Sequence, residues 1–407
     1  MRRKVVIIVF LVMSLLLISS CAPIQVGMLL EGGGIYKASD SKLSFKQKGH
    51  LIFIKAQINN SSKEYTFLLD TGAPCAINKK VADELGLTGG IEIGDNDAAG
   101  NTSQVRFVAL DYLTLGDITL KDIGAGVIDF EKINKSVGLN IDGLIGSNAL
   151  KFLKIIINYQ AQTIILSNNC VPTANTEPGY KVRFGKEIMH GLAPKVKCVI
   201  NSSLETEGII DTGMIGYLDV PVALLRQHNY PLSDQNQFAK AKGEIRWGAF
   251  GPKKEDYIFK MANFKMGDLE IPDIGSFTSD CDRLLIGSDF LANFVVTLNY
   301  PAEEMVLAPI AKPNFGGNIK TLGLAIKKDA EGKTLVSGLW THSPADRSDI
   351  KIDDEIIQMN GHKVQNLSVL DWFMMDFYDQ TILTVKLLVK ENNGIKEITL
   401  KKESLLP

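Results

Sequence analysis

Apolar positions along the chain fall into short runs, loosely alternating or closed by Gly, Asn and Asp. This is the pattern of strands joined by tight turns rather than of long helices. Residues 50–58 alternate and carry β-formers, Asn59-Asn60-Ser61-Ser62 turns the chain, and residues 65–69 lead to Asp70. Asn78 is placed to cap a helix running to about Leu85 and closed by Gly89-Gly90. Residues 105–115, 118–128, 155–158 and 163–166 predict further strands, and residues 141–152 a strand followed by a helical turn. Beyond Pro172 and Pro178 the pattern resumes near Tyr180, with a helix expected from Asp219 that takes Pro221 in its first turn. Residues 22–44 are mixed and interrupted by Gly32-Gly33-Gly34, and read as a tether with one strand. The predicted class is mainly β.

Two of the apolar runs end alike. Phe67-Leu68-Leu69 runs into Asp70-Thr71-Gly72-Ala73, and Gly208-Ile209-Ile210 into Asp211-Thr212-Gly213-Met214. A carboxylate at the end of a buried strand is costly unless something satisfies it. The two acids are 141 residues apart, and other landmarks share that offset. Leu144-Ile145-Gly146-Ser147 matches Leu285-Ile286-Gly287-Ser288, Asn158-Tyr159 matches Asn299-Tyr300, and Asn78 matches Asp219. Leu115-Gly116-Asp117 pairs instead with Met266-Gly267-Asp268, so insertions have been traded between loops. The pattern implies a duplicated β-rich unit with the functional site between the copies, where Asp70 and Asp211 meet across a pseudo-twofold axis.

Each half resembles a retropepsin-like aspartic protease subunit, whose pattern is two apolar residues, Asp-Thr-Gly, a flap hairpin, then two apolar residues and Gly. The resemblance spans about residues 45–310, and Met214 stands where the family usually has Ala, Ser or Thr. Farther on, Thr321-Leu322-Gly323-Leu324-Ala325-Ile326, Ser343-Pro344-Ala345 and Asp354-Glu355-Ile356-Ile357-Gln358-Met359-Asn360-Gly361 resemble a PDZ domain, with Asp349 and Asp353 at positions the family gives to Gly. The implied architecture is a two-lobed, duplicated aspartic protease fold followed by a PDZ domain. Its divisions are a signal peptide at 1–20, a tether at 21–44, lobes at 45–170 and 180–310 around a linker at 171–179, and the PDZ domain at 315–407, after a second linker near 313–317.

The resemblance implies an aspartic endopeptidase that needs neither metal nor organic cofactor. Asp70 and Asp211 would share a proton and activate a water on a peptide or protein substrate, braced by Thr71 and Thr212. Gly72 and Gly213 would permit their close approach. Two flaps are expected. The first is the polar tip at residues 95–101, containing Gly100. The second is Trp247-Gly248-Ala249-Phe250-Gly251, whose aromatics suit either a lid over peptide side chains or a hairpin packing on itself. The PDZ resemblance implies that backbone amides around Leu322, Gly323 and Leu324 cradle a peptide C-terminal carboxylate. A PDZ domain that packs on the protease without binding peptide is the other reading.

Composition narrows the alternatives. Across 407 residues the formal charge is -2, which gives no footprint for nucleic acid. Basic residues cluster only in Arg2-Arg3-Lys4, ahead of an apolar stretch at 5–18 and Ser19-Ser20-Cys21. That arrangement reads as an export signal. Its end resembles a bacterial lipobox, which implies lipidation of Cys21 and a place on a bacterial membrane, facing the periplasm or the cell surface. A plain signal peptide with an incidental Cys is the alternative. Cys75, Cys170, Cys198 and Cys281 form no Cys-x-x-Cys pair, and are open to three disulfide pairings or to buried free thiols. The histidines at 50, 190, 228, 342 and 362 are scattered, and neither a Gly-x-Ser-x-Gly elbow nor a complete phosphate-binding loop is present. The rival function is a membrane-tethered protein that keeps the protease fold, binds peptide or protein and cleaves nothing.

Overall fold

In a computed structural model that describes residues 22–97, 101–171, 178–188, 191–248, 250–316, 320–379, 381–391 and 394–406, the alternating runs become sheets. Strand Leu51–Ile58 pairs antiparallel with Tyr65–Asp70, burying Phe67 and Leu69 on one face and Leu68 on the other. Tyr65–Asp70 pairs parallel with Gly143–Gly146, which sets Asp70 opposite Gly146. Gly143–Gly146 also pairs with Ala76–Asn78, and the long hairpin Thr102–Leu115 with Ile118–Ile128 completes a nine-stranded sheet. Asn78 caps the helix Lys79–Glu84 by accepting from the Lys80 N–H. The helix stops sooner than expected: the chain turns at Gly86, φ 65°, well before Gly89-Gly90.

The second half lays down corresponding pairings. Ala193–Ile200 pairs with Leu204–Ile210, which runs parallel to Leu284–Ile286, with Ile210 opposite Ile286. Leu218–Pro221 joins that strand, and the hairpin Asp256–Met266 with Leu269–Ser279 lies alongside. Asp219 does not begin a helix. It lies inside strand Leu218–Pro221, and the helix Val222–Gln227 follows Pro221. The six-stranded sheet joins the halves through Lys154–Asn158 and Phe294–Asn299, which pair antiparallel. Ile155, Ile157, Val296 and Leu298 point inward from this pair and are fully buried. Each contributes about 2 kcal/mol of apolar burial.

Residues 22–44 are no free tether. Helix Ala22–Glu31 packs Val26 and Leu30 against Val105 and Phe107. The spacing of four puts these two side chains on one helical face. The Lys151 ammonium closes the helix end by donating to the carbonyls of Leu30, Glu31 and Gly32. Strands Gly34–Lys37 and Ser41–Ser44 then join Ile118–Ile128 and Thr163–Ser167. The linker expected near residues 313–317 is likewise held where it is described: Phe315 packs on Phe290 and Phe294.

Residues 320–406 have their own apolar core, including Leu322, Ile326, Val336, Trp372, Val385, Leu387 and Val389. They also extend the second half's sheet. Strand Phe238–Gly243 pairs with Asp256–Met266 through Phe238–Lys240, then leaves it and pairs with Thr334–Trp340, Ala241 opposite Trp340 and Gly243 opposite Gly338. Trp340 stacks on Phe277 across this seam. Among the described residues, no helix is long and apolar enough to cross a membrane.

Candidate active site

Each Asp-Thr-Gly turn ends a buried strand, and the two turns hold each other. The Thr71 hydroxyl donates to the Ile210 carbonyl at 2.6 Å and the Thr212 hydroxyl to the Leu69 carbonyl at 2.8 Å. Each hydroxyl also accepts the other threonine's N–H, both at 3.1 Å. Four hydrogen bonds between fully buried groups thus tie the strand ends together. Both glycines are dictated by proximity. A Cβ on Gly72 would lie 2.5 Å from the Asp211 carboxyl carbon, and one on Gly213 would lie 2.5 Å from that of Asp70.

The structure therefore brings Asp70, Thr71, Gly72, Asp211, Thr212 and Gly213 into one site. The Gly72 N–H donates to Asp70 Oδ1 at 3.0 Å, and the Gly213 N–H to Asp211 Oδ1 at 2.9 Å. The two carboxyls act on one another's titration. Burial, and next the neighbouring Asp211 charge, push Asp70 well above the usual carboxylate range. Burial raises Asp211 too, to about 6, against the opposing hydrogen bond from Gly213. Both carboxyls are thus pushed toward the neutral form, and the pair retains a proton that the two share.

Gly146 and Gly287 pack this close to the turns. A Cβ on Gly146 would meet the Pro74 backbone at 2.2 Å, and one on Gly287 the Gly216 carbonyl at 2.3 Å. The following serines brace the loops: Ser147 Oγ donates to the Thr71 carbonyl and Ser288 Oγ to that of Met214. The Met214 side chain packs with Ala193, Ile209 and Leu285, filling apolar space.

The two flap regions touch. Hairpin strands Ile91–Asn96 and Thr102–Leu115 carry the first tip, and its Gly100 lies outside the described residues. The Asp97 carboxylate accepts the Asn101 N–H at 2.9 Å and, from the second flap region, the Phe250 N–H at 2.6 Å. Asn101 Nδ2 donates to the Pro252 carbonyl. In the second region Trp247 bridges Pro252, and the Gly248 N–H donates to the Gly251 carbonyl. Trp247 and Phe250 line a cavity of about 350 Å³ together with Val105, Ile128 and Ile133.

Beneath the second tip lies a charge cluster that the sequence analysis did not single out. The Arg246 guanidinium pairs with Asp219 at 3.0 Å and with Asp256, while the Lys253 ammonium reaches Asp219 at 2.9 Å and Ser279 Oγ at 2.8 Å. All four charged side chains are at most 9% exposed. Burial alone would raise Asp219, but Arg246 and Lys253 overcome it and hold the carboxyl at about 2. Two cations flanking an aromatic turn were the available signal.

The loop expected to cradle a peptide carboxylate is already engaged. The Leu322 N–H donates to Asp376 Oδ1 at 2.6 Å, the Thr321 hydroxyl donates to Asp376 Oδ2, and the Gly323 N–H donates to Thr321 Oγ1 at 2.9 Å. Leu324 offers its carbonyl to the Trp372 indole N–H at 2.9 Å. Cys75, Cys170, Cys198 and Cys281 are all free thiols, so none of the three pairings forms; burial pushes Cys75 up to about 12. Cys21 lies outside the described residues. Among the described residues no group of three or more His, Cys, Asp or Glu could hold a metal ion.

Residues 54–149 match the family model of aspartyl proteases. The matched stretch contains the first Asp-Thr-Gly turn, the first flap hairpin and Leu144-Ile145-Gly146. No curated protein matches the chain.

Proposed function

We propose that this chain is an aspartic endopeptidase whose dyad is Asp70 and Asp211. The observation that carries the reading is the mutual threonine grip, with a glycine opposite each carboxyl. A binding scaffold requires neither acid, whereas hydrolysis requires both. Of Asp70 and Asp211, the ionised carboxyl takes a proton from a water held between them, and the protonated one gives its proton to the scissile carbonyl oxygen. The oxygen of that water bonds to the carbonyl carbon, forming a tetrahedral intermediate. Its collapse breaks the C–N bond, the amine leaves with the proton the general base had gained, and a diol hydroxyl returns one to the carboxyl that had acted as the acid.

The proposal extends to the whole chain as two protease lobes at 45–170 and 180–310, a PDZ-like module from 315, and a lipid on Cys21 that holds the molecule to a bacterial membrane. One observation favours the rival binding protein: the two flap regions are hydrogen-bonded to each other through Asp97 and Phe250.

Cleavage of a mixed peptide library by the chain from Ala22 onward separates the two. Asp70→Asn and Asp211→Asn are each expected to lower turnover by about 100-fold to 10,000-fold with folding intact. Undiminished cleavage in both variants would remove the dyad mechanism. A native chain that binds peptides without cutting them at any pH from acid to neutral would favour the scaffold.

A further inference from the structure

The engaged loop at Thr321–Leu324 bears on what the C-terminal module does. Thr321, Leu322 and Asp376 are fully buried, so the Asp376 carboxylate is sealed in place. It takes the Leu322 N–H on one oxygen and the Thr321 hydroxyl on the other, as an incoming carboxylate would. Gly323, φ 86°, fixes the loop: a Cβ there would lie 1.9 Å from Ser343 Cβ. Lys402, also buried, donates to the carbonyls of Met375 and Asp379 and places its positive charge near Asp376.

The neighbouring edge is blocked too. Strand Leu324–Lys328 pairs with Thr334–Trp340 on one side. An added peptide strand needs backbone groups on the other side. There the Leu324 carbonyl accepts the indole N–H of Trp372, itself 2% exposed. Trp372 and Asp376 are four residues apart on the continuous segment formed by helix Val369–Phe373 and the π-turn Met374–Tyr378. One helical face therefore supplies both the carboxylate and a strand-edge donor.

That segment is also fastened to the body of the molecule. Asp371 pairs with Lys48 at 2.7 Å, the Leu370 N–H donates to the Val137 carbonyl at 3.0 Å, and Tyr378 hydrogen-bonds Asp289. Withdrawing it would leave a buried carboxylate and buried amides without partners, a cost an incoming peptide would have to exceed.

We propose that Asp376 is the resident ligand of the carboxylate cradle, so that the C-terminal module admits no external peptide C-terminus and instead clamps the protease body. The inference rests on the PDZ reading for the nature of the cradle, and on the hydrogen bonds alone for its occupancy.

The test uses the chain from Ala22 carrying Asp70→Asn, which keeps peptides intact. Its probe is a set of peptides ending in an apolar residue, each as the free acid and as the C-terminal amide. The chain with Asp376 is expected to bind acid and amide alike. Adding Asp376→Ala is expected to give about a tenfold preference for the acid and about tenfold faster hydrogen exchange at the Leu322 amide. A tenfold preference for the acid with Asp376 present, or unchanged Leu322 exchange in Asp376→Ala, would overturn the proposal. Faster exchange with no peptide bound would support the resident ligand and remove the PDZ reading. Asp376→Asn, which keeps an acceptor for Leu322, is the second variant if alanine impairs folding; it is expected to weaken Leu322 protection, and unchanged protection would again overturn the proposal.

Discussion

Gly72 shows how narrow the tolerance of the dyad is. Its missing side chain leaves the space into which the Asp211 carboxyl fits, and Gly213 does the same for Asp70. Gly72→Ala is therefore expected to displace Asp211 and lower turnover by about 100-fold, the usual effect of ångström-scale misplacement. Peptide cleavage with folding followed in parallel checks this, and near-native turnover would contradict the geometry. Burial also makes Asp70, Asp211 and Asp376 prefer the neutral form in the folded chain. The stabilisation this gives is complete below the ordinary carboxylate range and is lost as pH rises through the raised values, about 6 for Asp211 and Asp376. Asp219 has the opposite sign: held at about 2, it contributes above the ordinary range and its share is lost as pH falls toward 2. Thermal unfolding is accordingly expected to be latest near pH 4 and progressively earlier from there to about pH 8. A melting temperature that climbs steadily to about pH 8 would count against these carboxyl assignments.

Among the elements, the second flap region depends on its charged base. Arg246 precedes Trp247, Lys253 follows Pro252, and both are anchored to buried acids on separate strands. Arg246→Met would leave Asp219 and Asp256 short of a partner, with an expected loss of about 3–5 kcal/mol read by denaturant unfolding. A loss of less than about 1 kcal/mol would mean that Lys253 alone neutralises both acids.

What was legible in the sequence follows the same division. The Asp-Thr-Gly turns and the apolar strands before them announce themselves within a few residues, as does the Asn78 cap. The charge cluster does not, because Asp219, Arg246 and Asp256 meet only once two strands and the loop between Gly243 and Trp247 have assembled; in isolation Asp219 beside Pro221 reads as a helix start. Residues 22–44 misled for another reason. Three consecutive glycines dominate the local signal, while Val26 and Leu30, the pair spaced by four that is buried, sit among Ile24 and Met28, which stay exposed and blur the helical period. Asp376 was illegible because its partner Leu322 lies 54 residues away.

For the molecule as a whole, the C-terminal module and the second half of the body share a sheet. Removing residues 317–407 would strip Thr334–Trp340 from Ala241–Gly243 and uncover Phe277, which now lies under Trp340. The shortened chain is expected to aggregate or unfold at a lower temperature, since an unpaired strand edge beside apolar surface invites association. Size-exclusion chromatography and thermal scans test this, and a monomer of unchanged stability would show that the seam carries little.

The helix Ala22–Glu31 has a consequence for reach. It begins one residue after Cys21 and rests on the strand that carries the first flap. With the acyl chain proposed on that cysteine, the molecule would have no leash. Its cleft would stand at a set altitude over the bilayer instead of sweeping a volume. Substrates would then be sorted by how high their scissile bond rises from the lipid surface, and a flexible insert between Cys21 and Ala22 would turn that single height into a range.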